Sequence, residues 1–306
     1  MRKSTVILAC SAALLIGVPG CGRAPKPAAD TGKLRVVCLA PNLTEIVSAI
    51  GAADCLVGRS SACDYPPDIV RNVPVVGDFG KPSMEMLVAT RPTLVLEVDM
   101  EDESFRAEIE RHGIKAERIV CHKLDDIPEA CLKIGRLLNH EIEARELAGR
   151  LTTGIAELRR TMKPEGERPL VFAEIWHDPL TTAGRNSFLS DLIALAGGRN
   201  AGDEVEQDYY LAAPEWVVSA NPDIILDLHT KAADSVKEQF LSRPGWQNVK
   251  AVSTGRIYGG LNTDLVLRPG PRVLEGIKEL RKYMEQRAAA TQNISRRGAE
   301  HAEGRN

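Results

Sequence analysis

The sequence predicts an α/β protein with two Rossmann-like lobes, each a mostly parallel sheet with flanking helices, joined by one long rigid interdomain helix. Three observations lead to this fold class. Short β-branched runs alternate with segments of helical periodicity, one long helical segment occupies the middle of the chain, and the second half repeats the first in outline. Such alternation of strands and helices is typical of parallel sheets whose faces are covered by helices.

The two ends of the chain differ from its body. A positively charged start precedes the uncharged apolar run 6–18, which is too short to span a membrane as a helix. Cys21 resembles the lipid-modified cysteine of bacterial lipoproteins. We therefore predict a signal peptide over 1–20, a lipid anchor on Cys21 and a flexible spacer over 21–32, with plain secretion and an uncleaved anchor as the alternatives. The segment 288–306 lacks apolar periodicity and is predicted to be a disordered tail.

The first lobe is predicted over 33–126. Buried strands are expected at 34–39 and 93–98, because β-branched and apolar residues are concentrated there. Helices are expected at 44–50, which ends at a glycine, and at 83–90. This order gives a parallel sheet with helices packed on its faces.

The middle segment 127–162 is predicted to be a single interdomain helix. Apolar residues recur in it every three or four positions, with charged residues between them. Pro128 fits a first helical turn, and Pro164 ends the pattern. Such a helix would be roughly 54 Å long, enough to cross two lobes. The alternative is two helices broken near Gly149.

The second lobe is predicted over 163–287, and it repeats the first in outline. The apolar helix end at 45–51 has a counterpart at 191–197. Glu85 and Glu215 each stand seven residues before a strand that begins with proline. Two matched features in the same order indicate two lobes of like topology.

The composition excludes several classes of protein. The 306 residues carry a formal net charge of −3, and no run of Lys and Arg forms the basic stripe of a nucleic-acid-binding protein. The short motifs of zinc proteases, serine hydrolases and P-loop NTPases do not occur. The six histidines show no spacing that would gather three of them around a metal. The sequence therefore predicts neither an enzyme nor a resident metal or cofactor.

The cysteines leave one question open. Five remain in the predicted body, and an odd number leaves at least one thiol without an intramolecular partner in an oxidising compartment. The sequence does not determine their pairing. These cysteines are Cys38, Cys55, Cys63, Cys121 and Cys131.

Eight short motifs resemble, in family order, the periplasmic binding proteins for cobalamin, haem and iron–siderophores. They lie at 39–45, 64–67, 82–85, 92–96, 221–225, 243–246, 255–258 and 268–272. The resemblance implies a monomeric, extracytoplasmic solute-binding protein that delivers its cargo to an ABC permease dimer with separate ATPase subunits. It also implies that Glu85 and Glu215, one on each lobe, dock onto the two membrane subunits, where paired carboxylates fix register.

The cargo implied by the resemblance is a corrinoid such as cobalamin. A flat macrocycle rimmed with amides needs aromatic walls and a few polar groups for orientation. The positions that match the cobalamin branch are Tyr65, Phe79, Trp176, Tyr209, Asp264 and Arg268.

Two alternatives remain at this point. The same clamp could carry haem or a ferric siderophore. An anionic siderophore predicts a basic cleft, toward which four arginines would converge. They are Arg185, Arg199, Arg268 and Arg272. His177 is a candidate axial ligand for cobalt or haem iron. The more distant alternative is a surface sensor or enzyme on the same fold.

Overall fold

A computed structural model describes residues 33–99, 102–230 and 236–286 of the chain. The predicted signal peptide, the lipid anchor on Cys21, the spacer and the tail at 288–306 lie outside the described residues. Within the described residues, no helix combines the length and the apolar character that crossing a membrane requires.

The secondary structure alternates along the chain as expected. The strands are β1 (Val36–Cys38), β2 (Leu56–Arg59), β3 (Gly77–Asp78), β4 (Lys81–Pro82), β5 (Leu94–Glu97), β6 (Lys115–Arg118), β7 (Leu170–Glu174), β8 (Trp176–His177), β9 (Leu180–Ala183), β10 (Arg199–Asn200), β11 (Tyr209–Leu211), β12 (Ile224–Asp227) and β13 (Ile257–Tyr258). The helices are α1 (Pro41–Ala49), α2 (Pro67–Val70), α3 (Met84–Ala89), α4 (Glu103–Arg111), α5 (Asp126–Leu138), α6 (Glu141–Arg160), α7 (Phe188–Ala196), α8 (Pro214–Ala220), α9 (Val236–Leu241), α10 (Lys250–Ser253), α11 (Thr263–Val266) and α12 (Val273–Glu285).

The first lobe is built on a parallel sheet of order β2-β1-β5-β6. Strand β1, one of its two central strands, is buried on both faces. Val36 and Cys38 point into one hydrophobic cluster, whereas Val37 points into another. Side chains alternate across a strand, so a continuous apolar run is what such a strand requires.

The second lobe is built on a parallel sheet of order β10-β7-β12-β13. The same half of the chain also forms a smaller antiparallel sheet of order β11-β9-β8. Two parallel sheets with flanking helices confirm the predicted α/β fold class. Trp246 is fully buried in this lobe, where it packs against Phe172 and Phe240.

The prediction of one interdomain helix over 127–162 is wrong, because the segment forms two helices, α5 and α6. The break lies at Asn139, whose φ of 60° is left-handed, and the amide of His140 donates to the carbonyl of Gly135 at 2.8 Å. Asparagine is one of the few residues that tolerate this conformation at a helix end. The alternative break at Gly149 is also wrong, since Gly149 lies inside α6.

The two interdomain helices pack tightly on each other and on the lobes. A β-carbon added at Gly135 would collide with the β-carbon of Ala144, so glycine permits the close approach of α5 and α6. Gly154 on α6 likewise makes room for Leu274 of α12. One contiguous hydrophobic cluster includes β1 and β5 of the first lobe, α5 and α6, and α7 and α12 of the second. The interdomain helices therefore belong to the core.

Candidate functional site

A cavity of about 340 Å³ lies between residues of the two lobes. The first lobe contributes the residues that follow β1, β5 and β6, and the second contributes the start of α7 and of β11. Crevices at the carboxyl ends of parallel strands are the usual ligand sites of open α/β sheets. This cavity is therefore the candidate binding site.

Two predicted ligand-contacting aromatics line the cavity. Phe79 lies in the turn between β3 and β4 and is 42% exposed, and Tyr209 at the start of β11 is 45% exposed. Burial of the phenol, and to a lesser degree the Asp208 carboxylate, raises the pKa of Tyr209 to about 12. Tyr209 therefore stays neutral at any physiological pH, and the two rings give the cavity an aromatic wall from each lobe.

Two carboxylates, Asp99 and Asp208, and the imidazole of His122 also line the cavity. The Nδ1 atom of His122 lies 2.6 Å from Oδ2 of Asp208, which joins the first lobe to the second. The Nε2 atom of His122 lies 3.7 Å from Oδ2 of Asp99. No Lys or Arg is found among the described residues that form the lining.

Sequence reasoning did not select Asp99, His122 or Asp208. Asp99 follows the end of β5, and His122 follows the end of β6. Ligands usually bind at the carboxyl ends of parallel strands, so this position could have indicated both residues. Asp208 immediately precedes Tyr209, which was selected. What the sequence could not supply was the meeting of His122 and Asp208, because it depends on how the two lobes pack.

Arg268 and Arg272 join the lobes in an ion-pair network away from the lining. Arg272 binds Glu45 in a bidentate way, with Nε–Oε2 at 2.8 Å and Nη2–Oε1 at 2.6 Å. Arg268 contacts Asp64 at 2.6 Å, Asp264 at 2.7 Å and Glu45 at 3.3 Å. The hydrogen bond from Arg268 holds the pKa of Asp64 below its ordinary value. The two guanidinium groups are thus satisfied by carboxylates of this chain.

Tyr65 lies beside this network and not on the lining of the interlobe cavity. Its ring is 40% exposed and is covered by the guanidinium of Arg272, whose Cζ lies 3.9 Å from the ring centroid. Tyr65 lines a second cavity of about 480 Å³, formed with residues of α1, α6 and α12. The structure therefore places Tyr65 and the Asp264–Arg268 pair together, but apart from Phe79 and Tyr209.

Trp176 lies in an aromatic cluster on β8, the edge strand of the smaller antiparallel sheet. It contacts the ring of His229 with centroids 6.0 Å apart, and His229 stacks on His177 at 4.7 Å. The Trp176 Nε1 atom donates to the carbonyl of Asp178 at 2.9 Å. Trp176 is 52% exposed, and neither it nor His177 belongs to the described lining of the interlobe cavity.

The arginines that an anionic siderophore would need do not converge on the cavity. Arg185 contacts Glu206 at 3.1 Å and donates to the carbonyl of Asp203 at 2.7 Å. Arg199 is exposed at the edge strand β10. Together with the paired Arg268 and Arg272, none of the four is among the described lining residues.

Glu85 and Glu215 occupy like positions on the two lobes. Each is exposed in the first turn of a short helix, α3 in the first lobe and α8 in the second. A carboxylate in a first turn is favoured by the helix dipole, so the position alone accounts for part of their presence. Both carboxylates are exposed, so a partner protein could contact them.

The thiols and the metal-ligating side chains form no further site in the described chain. No disulfide joins any of the five body cysteines there, and no group of three or more His, Cys, Asp or Glu could hold a metal ion. Burial raises the pKa of Cys121 and of Cys131 to about 12, and that of Cys38 well above its ordinary value. These three thiols are therefore poor nucleophiles.

Comparison with known proteins identifies what the chain resembles. The sequence profile of the family described as "Periplasmic binding protein" matches residues 36–261. The chain is 28% identical over 253 residues to YvrC, an uncharacterized ABC transporter substrate-binding lipoprotein of Bacillus subtilis, with 80% of this chain and 78% of that protein covered. It is 22% identical to the vitamin B12-binding protein of Vibrio parahaemolyticus, with 82% and 89% covered. The apo form of the periplasmic heme-binding protein RhuT of Roseiflexus superposes with a TM-score of 0.72 and 26% identity, covering 83% of this chain and 100% of that one.

Proposed function

This chain belongs to the periplasmic binding protein family, and from that premise we propose that it captures a corrinoid such as cobalamin in the interlobe cavity for an ABC importer. The family consists of periplasmic solute-binding proteins, which are non-enzymatic components of transport. They work with permease and ATPase components. The cargo of this chain is the part that needs an argument from its own residues.

The observation that carries the proposal is the chemistry of the cavity lining. Phe79 and Tyr209 offer flat apolar surfaces, while Asp99 and Asp208 offer hydrogen-bond acceptors. A corrin ring has two broad faces and an edge of amide groups whose N–H donors match carboxylate oxygens. The propionates of haem and the anionic groups of a ferric siderophore would face these same carboxylates, which disfavours both of them.

The size of the cavity adds a condition. At about 340 Å³ it lies at the lower end of ligand pockets, and a whole corrinoid is larger. We therefore propose that the lobes separate further in the bound state, or that part of the cargo projects out of the mouth. Four other predicted ligand contacts lie outside the described lining of this cavity, and they would reach the cargo only if opening of the cleft moved them toward it. They are Tyr65, Trp176, Asp264 and Arg268.

Calorimetric titration of the purified protein tests the cargo. Cyanocobalamin and dicyanocobinamide are expected to bind one to one, whereas haemin and an anionic ferric tris-catecholate are expected to bind at least tenfold more weakly. Phe79→Ala and Tyr209→Ala should each weaken corrinoid binding by about tenfold, or roughly 1.4 kcal/mol. Leu241→Ala removes a similarly exposed apolar side chain outside the described lining and serves as the control. Tighter binding of haemin or of the ferric tris-catecholate would contradict the corrinoid proposal.

We also propose that Glu85 and Glu215 dock the two lobes onto a permease dimer. Their exposure and their like placement in α3 and α8 support this role. Charge reversal at either position should reduce ATPase stimulation of the reconstituted importer while leaving cargo binding unchanged. Glu141→Arg, which reverses an exposed first-turn carboxylate on α6, is the matched control. Equal effects of all three reversals would contradict specific docking.

The final part of the proposal concerns the membrane. We propose that Cys21 carries the lipid anchor and that the mature protein is a monomer without affinity for nucleic acid. Several acyl chains on one residue hold a protein stably on a membrane, whereas one chain binds marginally. Cys21→Ser should move the protein from the detergent phase to the aqueous phase in a cloud-point partition. Unchanged partition would contradict the lipid anchor.

A further inference from the structure

His122 and Asp208 join the two lobes on the lining of the interlobe cavity. His122 follows β6 in the first lobe, Asp208 precedes β11 in the second, and Nδ1 of the imidazole lies 2.6 Å from Oδ2 of the carboxylate. The two side chains are 50% and 38% exposed, so both groups can exchange protons with solvent. Because two lining residues from different lobes touch here, the cavity cannot widen at this point while the contact holds.

A second group of contacts between the lobes has a different chemistry. Arg268 and Arg272 of the second lobe bind Glu45 of the first, and Arg268 also binds Asp64. The two arginine side chains are each only 14% exposed. A guanidinium group keeps its charge at every physiological pH. The arginines therefore hold the lobes together with a charge that does not change between pH 5 and 8.

The residues that follow His122 in the chain also reach the second lobe. Nζ of Lys123 lies 4.0 Å from Oδ1 of Asp191 on α7, and the amide of Leu124 donates to Oδ2 of the same carboxylate at 3.0 Å. The amide of Lys123 donates to Asp126 at the start of α5 at 2.8 Å. These contacts tie the segment to the interdomain helices, and none of them involves a histidine.

The contact of His122 with Asp208 is thus the one basic–acidic side-chain pair between the lobes, among the residues that the structure describes, that contains a histidine. Histidine is the side chain that ordinarily gains or loses its charge between pH 5 and 8. As an imidazolium it forms a charge-assisted ion pair with a carboxylate, whereas the neutral ring has a single N–H to donate. The contact is therefore stronger at the acidic end of this range.

The other groups around the imidazole agree with this direction. Oδ2 of Asp99, which follows β5, lies 3.7 Å from Nε2 of His122, so the ring stands between two carboxylates. Burial raises the pKa of Tyr209, on β11, and of Cys121, on the cavity lining, to about 12, so both stay neutral. The described surroundings therefore favour a positive charge on the ring at low pH.

We propose that the contact of His122 with Asp208 is a pH-dependent latch, which holds the interlobe cavity narrow at low pH and lets it widen for cargo as the pH rises. This inference rests on the proposed function, because it takes the cavity as the cargo site and separation of the lobes as the way in. By linkage, a cargo that parts the contact favours loss of the imidazolium proton, so a higher pH favours its entry. The exposure of the pair limits the effect to about two- to fivefold.

A double-mutant cycle in urea unfolding of the full chain tests the latch without any cargo. The variants are His122→Gln, Asp208→Asn and their combination, and glutamine keeps an N–H donor without the charge. At pH 5.5 the wild-type pair should raise the folded-to-unfolded ratio by about two- to fivefold beyond the product of the single effects, and at pH 8 by less than about 1.5-fold. A coupling that is absent at pH 5.5, or equal at both pH values, would overturn the latch.

Stopped-flow association of cyanocobalamin tests the effect of the latch on entry. The association rate constant of the wild type should rise about two- to fivefold from pH 5.5 to pH 8. His122→Gln should associate at pH 5.5 as fast as it does at pH 8. His177→Gln removes a histidine outside the described lining, so it is the control and should keep the wild-type rise. A wild-type rate that does not depend on pH, or a rise that persists in His122→Gln, would overturn control of entry by the latch.

The two experiments separate this inference from the proposed function. A pH-dependent coupling without any association of cyanocobalamin would support the latch and contradict the corrinoid cargo. Association of cyanocobalamin together with an absent coupling would overturn the latch and leave the corrinoid cargo standing.

Discussion

Replacing Arg272 by alanine tests whether the interlobe ion pair stabilises the fold. The side chain of Glu45 is 2% exposed, and Arg272 supplies it with two short charge-assisted hydrogen bonds. Removal of the arginine leaves this buried carboxylate with the more distant Arg268 as its remaining charged partner among the described contacts. We expect a marked loss of stability, because an uncompensated buried charge is among the most destabilising single changes.

The magnitude follows from the contacts. Two charge-assisted hydrogen bonds of about 1.5 to 3 kcal/mol each give a gross loss of about 3 to 6 kcal/mol. Arg268 lies 3.3 Å from Oε1 of Glu45 and can move closer, which recovers part of that loss. The lost contact of Arg272 with the Tyr65 ring adds about 0.5 to 1 kcal/mol. We expect a net cost of about 3 kcal/mol, or a fall in Tm of roughly 6 to 12 °C.

Urea unfolding monitored by circular dichroism measures this cost, with the midpoint and the slope fitted separately. Lys282→Ala, on the helix that begins directly after Arg272, is the matched control. It breaks a contact between Lys282 and Glu279 in which the lysine side chain is 66% exposed, so it should cost less than about 1 kcal/mol. Arg272→Met combined with Glu45→Gln should recover at least half of the loss, since it removes the unpaired charge.

A cost for Arg272→Ala no larger than that for Lys282→Ala would refute the reasoning. It would mean that Glu45 regains a partner or water without strain. Failure of the double variant to recover stability would locate the effect in packing around Arg272 and not in its charge.

Three further predictions concern other parts of the body. Asp64→Asn should destabilise the protein by less than about 1 kcal/mol at pH 7. Arg268 lowers the folded-state pKa of Asp64. The stability advantage of the wild type over Asp64→Asn is therefore present above the ordinary pKa of 3.8 and disappears as the pH falls through the folded-state pKa. An advantage that persists in stronger acid would contradict this. Asn139→Gly should leave the midpoint of urea unfolding almost unchanged, whereas Asn139→Val should cost about 1–2 kcal/mol, and equal effects would argue against the left-handed break. A thiol reagent at pH 8 should modify Cys121, which lines the cavity, faster than the buried Cys131, although both react slowly. Of these two thiols, bound corrinoid should slow the modification of Cys121 only. Mass spectrometry of the labelled peptides measures both rates.

The sequence was sufficient for the features that depend on local periodicity. The apolar run at 34–39 predicted a strand buried on both faces, and β1 is one. Phe79 and Tyr209, chosen by resemblance, lie on the same cavity. The strand depends on a short stretch of chain that carries its own signal, whereas the two aromatic residues were found through the family resemblance.

The remaining features depend on contacts between distant segments. The helical periodicity of 127–162 continues through Asn139, so the pattern gave no sign of the turn that the left-handed residue makes. The signal was chemical, since asparagine is a known helix terminator. The carboxylates that bind Arg268 in the structure lie about two hundred residues before it or, for Asp264, four residues before it. Sequence spacing contains no record of such partners.

The place of α12 in the core has a consequence for the order in which the protein can fold. Val273, Ile277 and Leu280 belong to the same contiguous cluster as Val36 in β1. Because the chain is synthesised from its N-terminus, α6 and α7 are made before α12. The apolar faces of α6 and α7 that pack against α12 stay exposed until α12 has been made. We expect the second lobe to remain incompletely packed during synthesis, and therefore dependent on chaperones that hold unfolded chains until the final described helix is available.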